Sequence, residues 1–191
     1  MERKGDRFPD VERAAQRLAR PAARAALVLK RSVDVLLALA MLVALLPVLI
    51  VVILLLLFAG DGWIEKRKRL GRNGRTVVLT RFRELPGGAF GRALERAGAR
   101  ELPILFAVMR GKLSFVGPRA LPPGMGAGYT GPRRLMAPGL TGPAQHGFSS
   151  PEEASRLDDA YVERWSLWVD ARLLAGHCPT FVHHRVSKTS S

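Results

Sequence analysis

The sequence predicts a mainly α-helical chain with a short β element. Its expected parts are a re-entrant membrane helix–break–helix, amphipathic interfacial helices and a small cytoplasmic domain. Three observations predict it. Residues 35–59 hold no charge and no strong hydrogen-bonding side chain over 25 positions, and an all-round apolar helix of that length needs lipid or a large core around it. Pro47 stands near the middle, where it removes a backbone donor and breaks the helix. Basic residues flank both ends, with Arg20, Arg24, Lys30 and Arg31 before the run and Lys66, Arg67, Lys68, Arg69, Arg72 and Arg75 after it. Positive charge favours the cytoplasmic side. A hairpin that enters and leaves one leaflet keeps both clusters there, whereas a spanning helix strands one of them.

Four segments follow in order. Residues 1–26 form a basic, Ala/Arg-rich arm. Asp10 begins a short helix there with Val11, Ala14, Ala15 and Leu18 on one face, and Pro21 interrupts it. Two readings of the arm stand, an interfacial helix drawn to anionic lipid and a frayed tail. Residues 27–60 are the re-entrant hairpin broken at Pro47. The run does not read as a secretory signal, because it starts late, is too long and has no Ala-x-Ala exit. Residues 61–175 form the cytoplasmic domain. Within it, residues 76–82 (TVVLTRF) read as a β-strand, and Pro86, Gly87 and Gly88 make a turn. Residues 92–109 have helical spacing with a kink at Pro103. Residues 117–147 form a long Gly/Pro-rich loop. Residues 151–174 read as one amphipathic helix whose Tyr161, Trp165 and Trp168 face either a membrane interface or a core. Its Asp159 and Asp170 are expected to pair with arginines of that helix. Residues 176–191 are a tail.

The charge balance is 30 Lys and Arg against 16 Asp and Glu, a net +14 over 191 residues. A nucleic-acid partner is not expected, because no nucleic-acid motif is present and anionic lipid accounts for basic flanks. The single Cys178 excludes an internal disulfide and a zinc cluster and suits a reducing compartment. His177, His183 and His184 lack the accompanying carboxylates or thiols of a metal site.

A series of short motifs lies along the chain: Lys30-Arg31-x-x-Asp34; the apolar run with Pro47; Arg81-Phe82-Arg83; Glu101-Leu102-Pro103; Gly111-x-x-Ser114-Phe115-Val116-Gly117-Pro118-Arg119; Pro138-Gly139-Leu140-Thr141-Gly142 with Gln145; and Asp159-x-Tyr161 with Ser166, Leu167 and Asp170. In this order and spacing, over about residues 27–175, the sequence resembles the bacterial sugar transferases, the monotopic polyprenyl-phosphate phosphoglycosyl transferases. The resemblance implies a proline-broken re-entrant helix at the bacterial inner (cytoplasmic) membrane, with both ends of the apolar segment facing the cytoplasm. It implies transfer of a sugar-1-phosphate from a nucleotide diphosphate sugar to polyprenyl phosphate, initiating exopolysaccharide or another glycan. It also implies Mg2+ and a covalent phosphosugar on the aspartate of an Asp-Glu pair. Partners implied are the membrane, the two substrates, and an active paralogue or a second copy of the chain.

By resemblance the pair falls at Arg100 and Glu101. Arg100 therefore replaces the nucleophile, and a guanidinium is no nucleophile at physiological pH. Glu101 is the retained catalytic carboxylate and the candidate magnesium ligand. Arg81, Arg83 and Arg119 are the candidate phosphate-binding residues, since a guanidinium grips phosphate oxygens in a fork. Lys30, Arg31 and Asp34 are placed where the chain enters the membrane. Glu95 stands where the family usually has arginine and Lys112 where it has aspartate. Ala120 ends a Pro-Arg-Pro, and a polar loop after the Arg-Phe-Arg strand is shortened. The two sign reversals predict an ion pair between Glu95 and Arg100. The alternative function is that of a catalytically inactive paralogue, a partner or regulatory subunit in the same pathway.

Overall fold

The computed structural model describes residues 8–59, 63–124, 130–145 and 150–176. The fold is mainly helical with two small sheets. Helix α1 (Phe8–Ala19) buries Ala14 and packs Leu18 on the core. Its Arg17 Nη2 donates to the Trp165 carbonyl at 2.7 Å. Helix α1 is thus docked through Ala14, Arg17 and Leu18 rather than frayed. Pro21 interrupts the helical run as expected: α1 ends at Ala19, and Pro21 begins the next helix. It is the first residue of α2 (Pro21–Ala44), where its missing N–H costs nothing.

Helix α3 (Leu46–Ala59) follows after a break at Leu45, and the two helices bend by 63°. Pro47 is the second residue of α3, so the break lies two residues before it. The proline nitrogen falls in the first turn, where no intrahelical partner exists. Lys30, Asp34 and Ala38, spaced by four, bury one face of α2. Val52 and Leu56 do the same for α3. Much of the remaining surface of the pair beyond Leu27 is apolar and exposed, including Val28, Leu36, Val43, Ile50, Leu54 and Phe58. Among the described residues no single helix is long and apolar enough to cross a membrane; the bent pair passes that test only jointly.

Strand β1 (Ile64–Leu70) pairs antiparallel with β2 (Thr76–Phe82), from Ile64 opposite Phe82 to Leu70 opposite Thr76. The basic run 66–69 is therefore strand, not merely a flank. The 3-10 turn Arg72–Gly74 closes the hairpin with Asn73 and Gly74 at φ 57° and 72°, the left-handed values such a tight reversal requires.

The expected helix over 92–109 is broken twice. Helix α4 (Gly88–Arg96) ends before Gly98 at φ 82°, a 3-10 turn spans Ala99–Glu101, and α5 (Ile104–Met109) restarts after Pro103. Strand β3 (Ser114–Val116) pairs parallel with β4 (Gly139–Thr141). A Cβ on Gly139 would strike the Gly117 backbone nitrogen, and one on Gly117 the Gly139 nitrogen, so the chain just past β3 lies this close to β4 only because both residues are glycine. The Gly/Pro-rich crossover is packed where it is described: Arg133, in the 3-10 turn Pro132–Leu135, is 1% exposed. The expected single C-terminal helix is two, α6 (Pro151–Glu163) and α7 (Leu167–Leu174). Each has a serine cap: Ser150 Oγ accepts from the Glu153 N–H and Ser166 Oγ from the Val169 N–H. Tyr161 and Trp165 belong to the core, whereas Trp168 is 70% exposed. His177, Cys178, His183 and His184 lie outside the described residues.

Candidate functional site

Side chains alternate along a strand, so β1 turns Glu65, Arg67 and Arg69 to one face. The register puts Arg81 of β2 beside them, opposite Glu65. The 3-10 turn carrying Arg100 and Glu101 packs on this hairpin. A groove of about 180 Å3 opens between them, lined by Arg67, Arg69, Arg81 and Glu101 over Leu79 and Ile104.

Glu65 is the hub of the charges. Its Oε1 accepts from Arg67 Nε at 2.8 Å and its Oε2 from Arg81 Nε at 2.7 Å, with Arg100 Nη2 at 3.8 Å. Hydrogen bonds from Arg67 and then Arg81 hold its carboxyl below the usual range. Arg100 lies between Glu65 and Glu95: its Nη1 is 3.6 Å from Glu95 Oε1, and its Nε donates to the Phe82 carbonyl at 3.2 Å. The predicted Glu95–Arg100 pair is present. Glu95 also accepts the Leu85 N–H at 2.8 Å. Glu101 remains half-exposed, with Arg81 Nη1 at 3.6 Å. Arg69 has no ion-pair partner among the described residues.

The groove therefore gathers Arg81 and Glu101, with Arg100 behind them, but not the other candidates. Arg83 is exposed just past β2. Arg119 Nε donates to Asp158 Oδ2 of α6 at 3.0 Å. Burial pushes the Asp158 carboxyl up to about 6, against the opposing hydrogen bond and charge of Arg119; its other oxygen, Oδ1, is buried without a hydrogen bond. Lys112 is exposed.

Lys30, Arg31 and Asp34 face inward as staples on α2. Lys30 Nζ donates to Asp170 Oδ2 at 2.6 Å and to the Val116 carbonyl at 2.9 Å. Asp170 also accepts from the Tyr161 hydroxyl at 2.6 Å and from Trp165 Nε1 at 3.2 Å. Burial, and then the negative Asp170, push the Tyr161 hydroxyl well above its ordinary value. Asp34 accepts from Ser114 Oγ and the Phe115 N–H. Arg31 donates to the carbonyls of Val108 and Met109, both at 2.6 Å. Asp170 thus pairs with a lysine of α2 rather than with an arginine of its own helix, and Asp159 lies 3.7 Å from Arg133 Nε. Glu65, Arg67 and Arg69 were not read as site residues in the sequence. The signal that would have found them is their alternation opposite Arg81.

Magnesium is usually held by one or two carboxylates together with substrate phosphates. Glu65 and Glu95 are engaged by arginines or a backbone N–H, so the carboxylate of the groove open to such an ion is Glu101, half-exposed with Arg81 Nη1 at 3.6 Å. Among the described residues no three His, Cys, Asp or Glu side chains converge.

A bacterial sugar transferase family model matches residues 25–184, which includes α2 from its second turn, all of α3 and the groove. This chain belongs to the bacterial sugar transferase family. It is similar to the exopolysaccharide production protein PSS of Rhizobium leguminosarum bv. phaseoli, 32% identical over 186 residues, covering 78% of this chain and 93% of the relative. It is 28% identical over 184 residues to the UDP-galactose-lipid carrier transferase of Erwinia amylovora, covering 76% of this chain and 39% of that protein. It is 36% identical over 102 residues to the undecaprenyl-phosphate glucose phosphotransferase of Komagataeibacter xylinus, covering 44% and 19%. This sugar transferase homologue thus spans well under half the length of the latter two relatives.

Proposed function

We propose that this family member transfers a sugar-1-phosphate from a nucleotide diphosphate sugar to polyprenyl phosphate at the cytoplasmic face of the bacterial inner membrane, initiating exopolysaccharide synthesis. The observation that carries the reading is the groove of Arg67, Arg69 and Arg81 with Glu101 at its edge. Three guanidinium groups on one strand-pair face suit a diphosphate, which carries several acceptor oxygens within a few ångströms. The names of the relatives supply the acceptor and the donor class.

Transfer here is a single displacement. The lipid phosphate is already largely ionised near neutral pH, the second phosphate pKa being about 6, so no base has to remove a proton. Its oxygen attacks the sugar-bearing phosphorus, the bond from that phosphorus to the bridging oxygen breaks, and nucleoside monophosphate leaves with the oxygen and its electron pair. Arg81 and Arg69 stabilise the charge on the phosphates. Glu101 positions Arg81, and Arg100 supplies positive charge behind the groove instead of a nucleophile. No step is routed through magnesium.

On this reading α2–α3 is a re-entrant pair. The exposed apolar surface of the pair needs lipid against it. Helix α3, 14 residues long, extends about 21 Å, short of a roughly 30 Å hydrocarbon core. With its 63° bend, the pair returns to the side it came from when α2 enters the leaflet obliquely.

The test is an assay with undecaprenyl phosphate in vesicles and a panel of uridine-diphosphate sugars. Lipid-linked sugar phosphate and uridine monophosphate are expected, with product lost in Arg81→Ala and no labelled sugar left on the protein. A labelled protein adduct overturns the single displacement. Absence of product with every sugar, from protein that binds the vesicles, overturns the transferase reading in favour of a partner subunit without turnover.

A further inference from the structure

A second cavity, of about 460 Å3, lies between α1, α2 and the tip of the β1–β2 hairpin. We propose that it seats the phosphate headgroup of an anionic glycerophospholipid. The proposal rests on the membrane placement of α2–α3 given above.

The cavity is amphiphilic. Leu18, Leu27 and Met136 supply an apolar wall, and Arg24, Lys30, Arg31 and Arg72 supply positive charge against the single acid Asp34. The inner charges are already used. Lys30 is paired with Asp170, Asp34 accepts from Ser114 and Phe115, and Arg31 is held by two carbonyls and packed on the Gly111 turn. Arg24 and Arg72 are different. Both are exposed at the cavity, on two separate elements, and neither has an ion-pair partner among the described residues. Two unpaired guanidinium groups at the mouth of an apolar cavity call for an anion that carries an apolar body.

Depth points to a lipid. Val28 is the first large apolar residue of α2 to stand exposed. Arg24 precedes it by four residues, about 6 Å along the helix, which is the thickness of the headgroup layer beside a hydrocarbon core. A phosphate between Arg24 and Arg72 therefore sits at headgroup level while its chains continue along the apolar face of α2. The cavity is also separate from the groove. Arg81 lies five residues along β2 from Thr76 at the hairpin tip, about 17 Å, so a phosphate held at the tip is not in line with a diphosphate held by Arg81.

The experiment is flotation of the purified full chain with phosphatidylcholine vesicles that contain or lack phosphatidylglycerol. It compares wild type, the double variant Arg24→Ala with Arg72→Ala, and a control of equal charge, Arg92→Ala with Arg96→Ala on exposed α4. All three are expected to bind phosphatidylcholine through α2–α3. Phosphatidylglycerol is expected to strengthen wild-type binding, and the cavity variant is expected to lose about 10- to 30-fold of that gain, from two basic residues near the surface. The control is expected to keep most of it. Equal losses in both double variants overturn the seat and leave diffuse charge as the cause. If undecaprenyl phosphate replaces phosphatidylglycerol with a larger gain that the cavity variant abolishes, the cavity belongs to the acceptor and the proposal fails. If wild type floats with no vesicle, the membrane reading itself has failed.

Discussion

Arg100 is held as firmly as a structural residue is held. It touches two carboxylates and a carbonyl, and Glu95 in turn holds the Leu85 N–H. The two sign reversals form one local unit, and the sequence shows this because both residues lie within six positions of each other. A double-mutant cycle on Glu95→Gln and Arg100→Gln, read by thermal unfolding in detergent, is expected to give a coupling of about 0.5–1 kcal/mol, typical of a partly exposed pair. Zero coupling would mean two independent side chains. The same arginines supply the groove with positive charge, so uridine diphosphate binding by calorimetry is expected to be unchanged by a chelator and weakened by Arg81→Ala. Asp158 gives a third residue-scale prediction. Its folded value near 6 lies above the ordinary 3.8. The native state therefore holds the proton more tightly than the unfolded chain, and the stability from this group is full below about pH 4 and lost as pH rises through about 6. Between pH 5 and 7.5 the wild type should lose more melting temperature than Asp158→Asn, the difference reflecting about 1–1.5 kcal/mol. Parallel profiles would refute it. Nothing in the sequence flagged Asp158, because its perturbation comes from burial against a crossover more than 20 residues away.

Elements were legible where local pattern decides them. Strand β2 is found at residues 76–82 as expected because TVVLTRF is rich in β-branched residues. Its partner β1, IEKRKRL, has little strand propensity of its own, and its basic side chains resemble a membrane flank; pairing with β2 makes it a strand. The long helical patterns over 92–109 and 151–174 persist through their breaks. The breaks are set by a left-handed Gly98 and by the Ser166 cap, which periodicity does not register. The staples between elements were less legible still. Lys30 and Asp170 are 140 residues apart in sequence yet join α2 to α7. Removing one partner leaves a buried charge, so Lys30→Met is expected to cost about 3–5 kcal/mol. Lys30→Met with Asp170→Leu is expected to recover much of that, because the double variant leaves neither charge uncompensated. Chemical unfolding of the three variants checks it. An additive double variant would show that the two groups act separately.

At the scale of the whole molecule, opposing tendencies meet at one bend. The chain is basic and apolar at once, and the two properties are segregated: the apolar surface lies on α2 and α3, and basic residues precede and follow it. On the proposed topology both basic flanks stay in the cytoplasm, and the break at Leu45 lets α3 turn back. Pro47 maintains that break because it cannot donate to the Val43 carbonyl four residues earlier. Leucine at 47 restores the donor and removes a penalty of about 3 kcal/mol against a continuous helix, which would run from Pro21 to Ala59, some 58 Å, long enough to span a bilayer. The basic residues of β1 then oppose crossing. With Cys178 replaced by serine and single cysteines at Ala26 and Glu84, an impermeant maleimide is expected to label both sites only in inside-out vesicles. In Pro47→Leu the Ala26 cysteine is expected to stay inside while part of the Glu84 population becomes labelled from outside. Labelling of the Glu84 site from outside in the parent chain would show that the apolar pair crosses the membrane instead of returning.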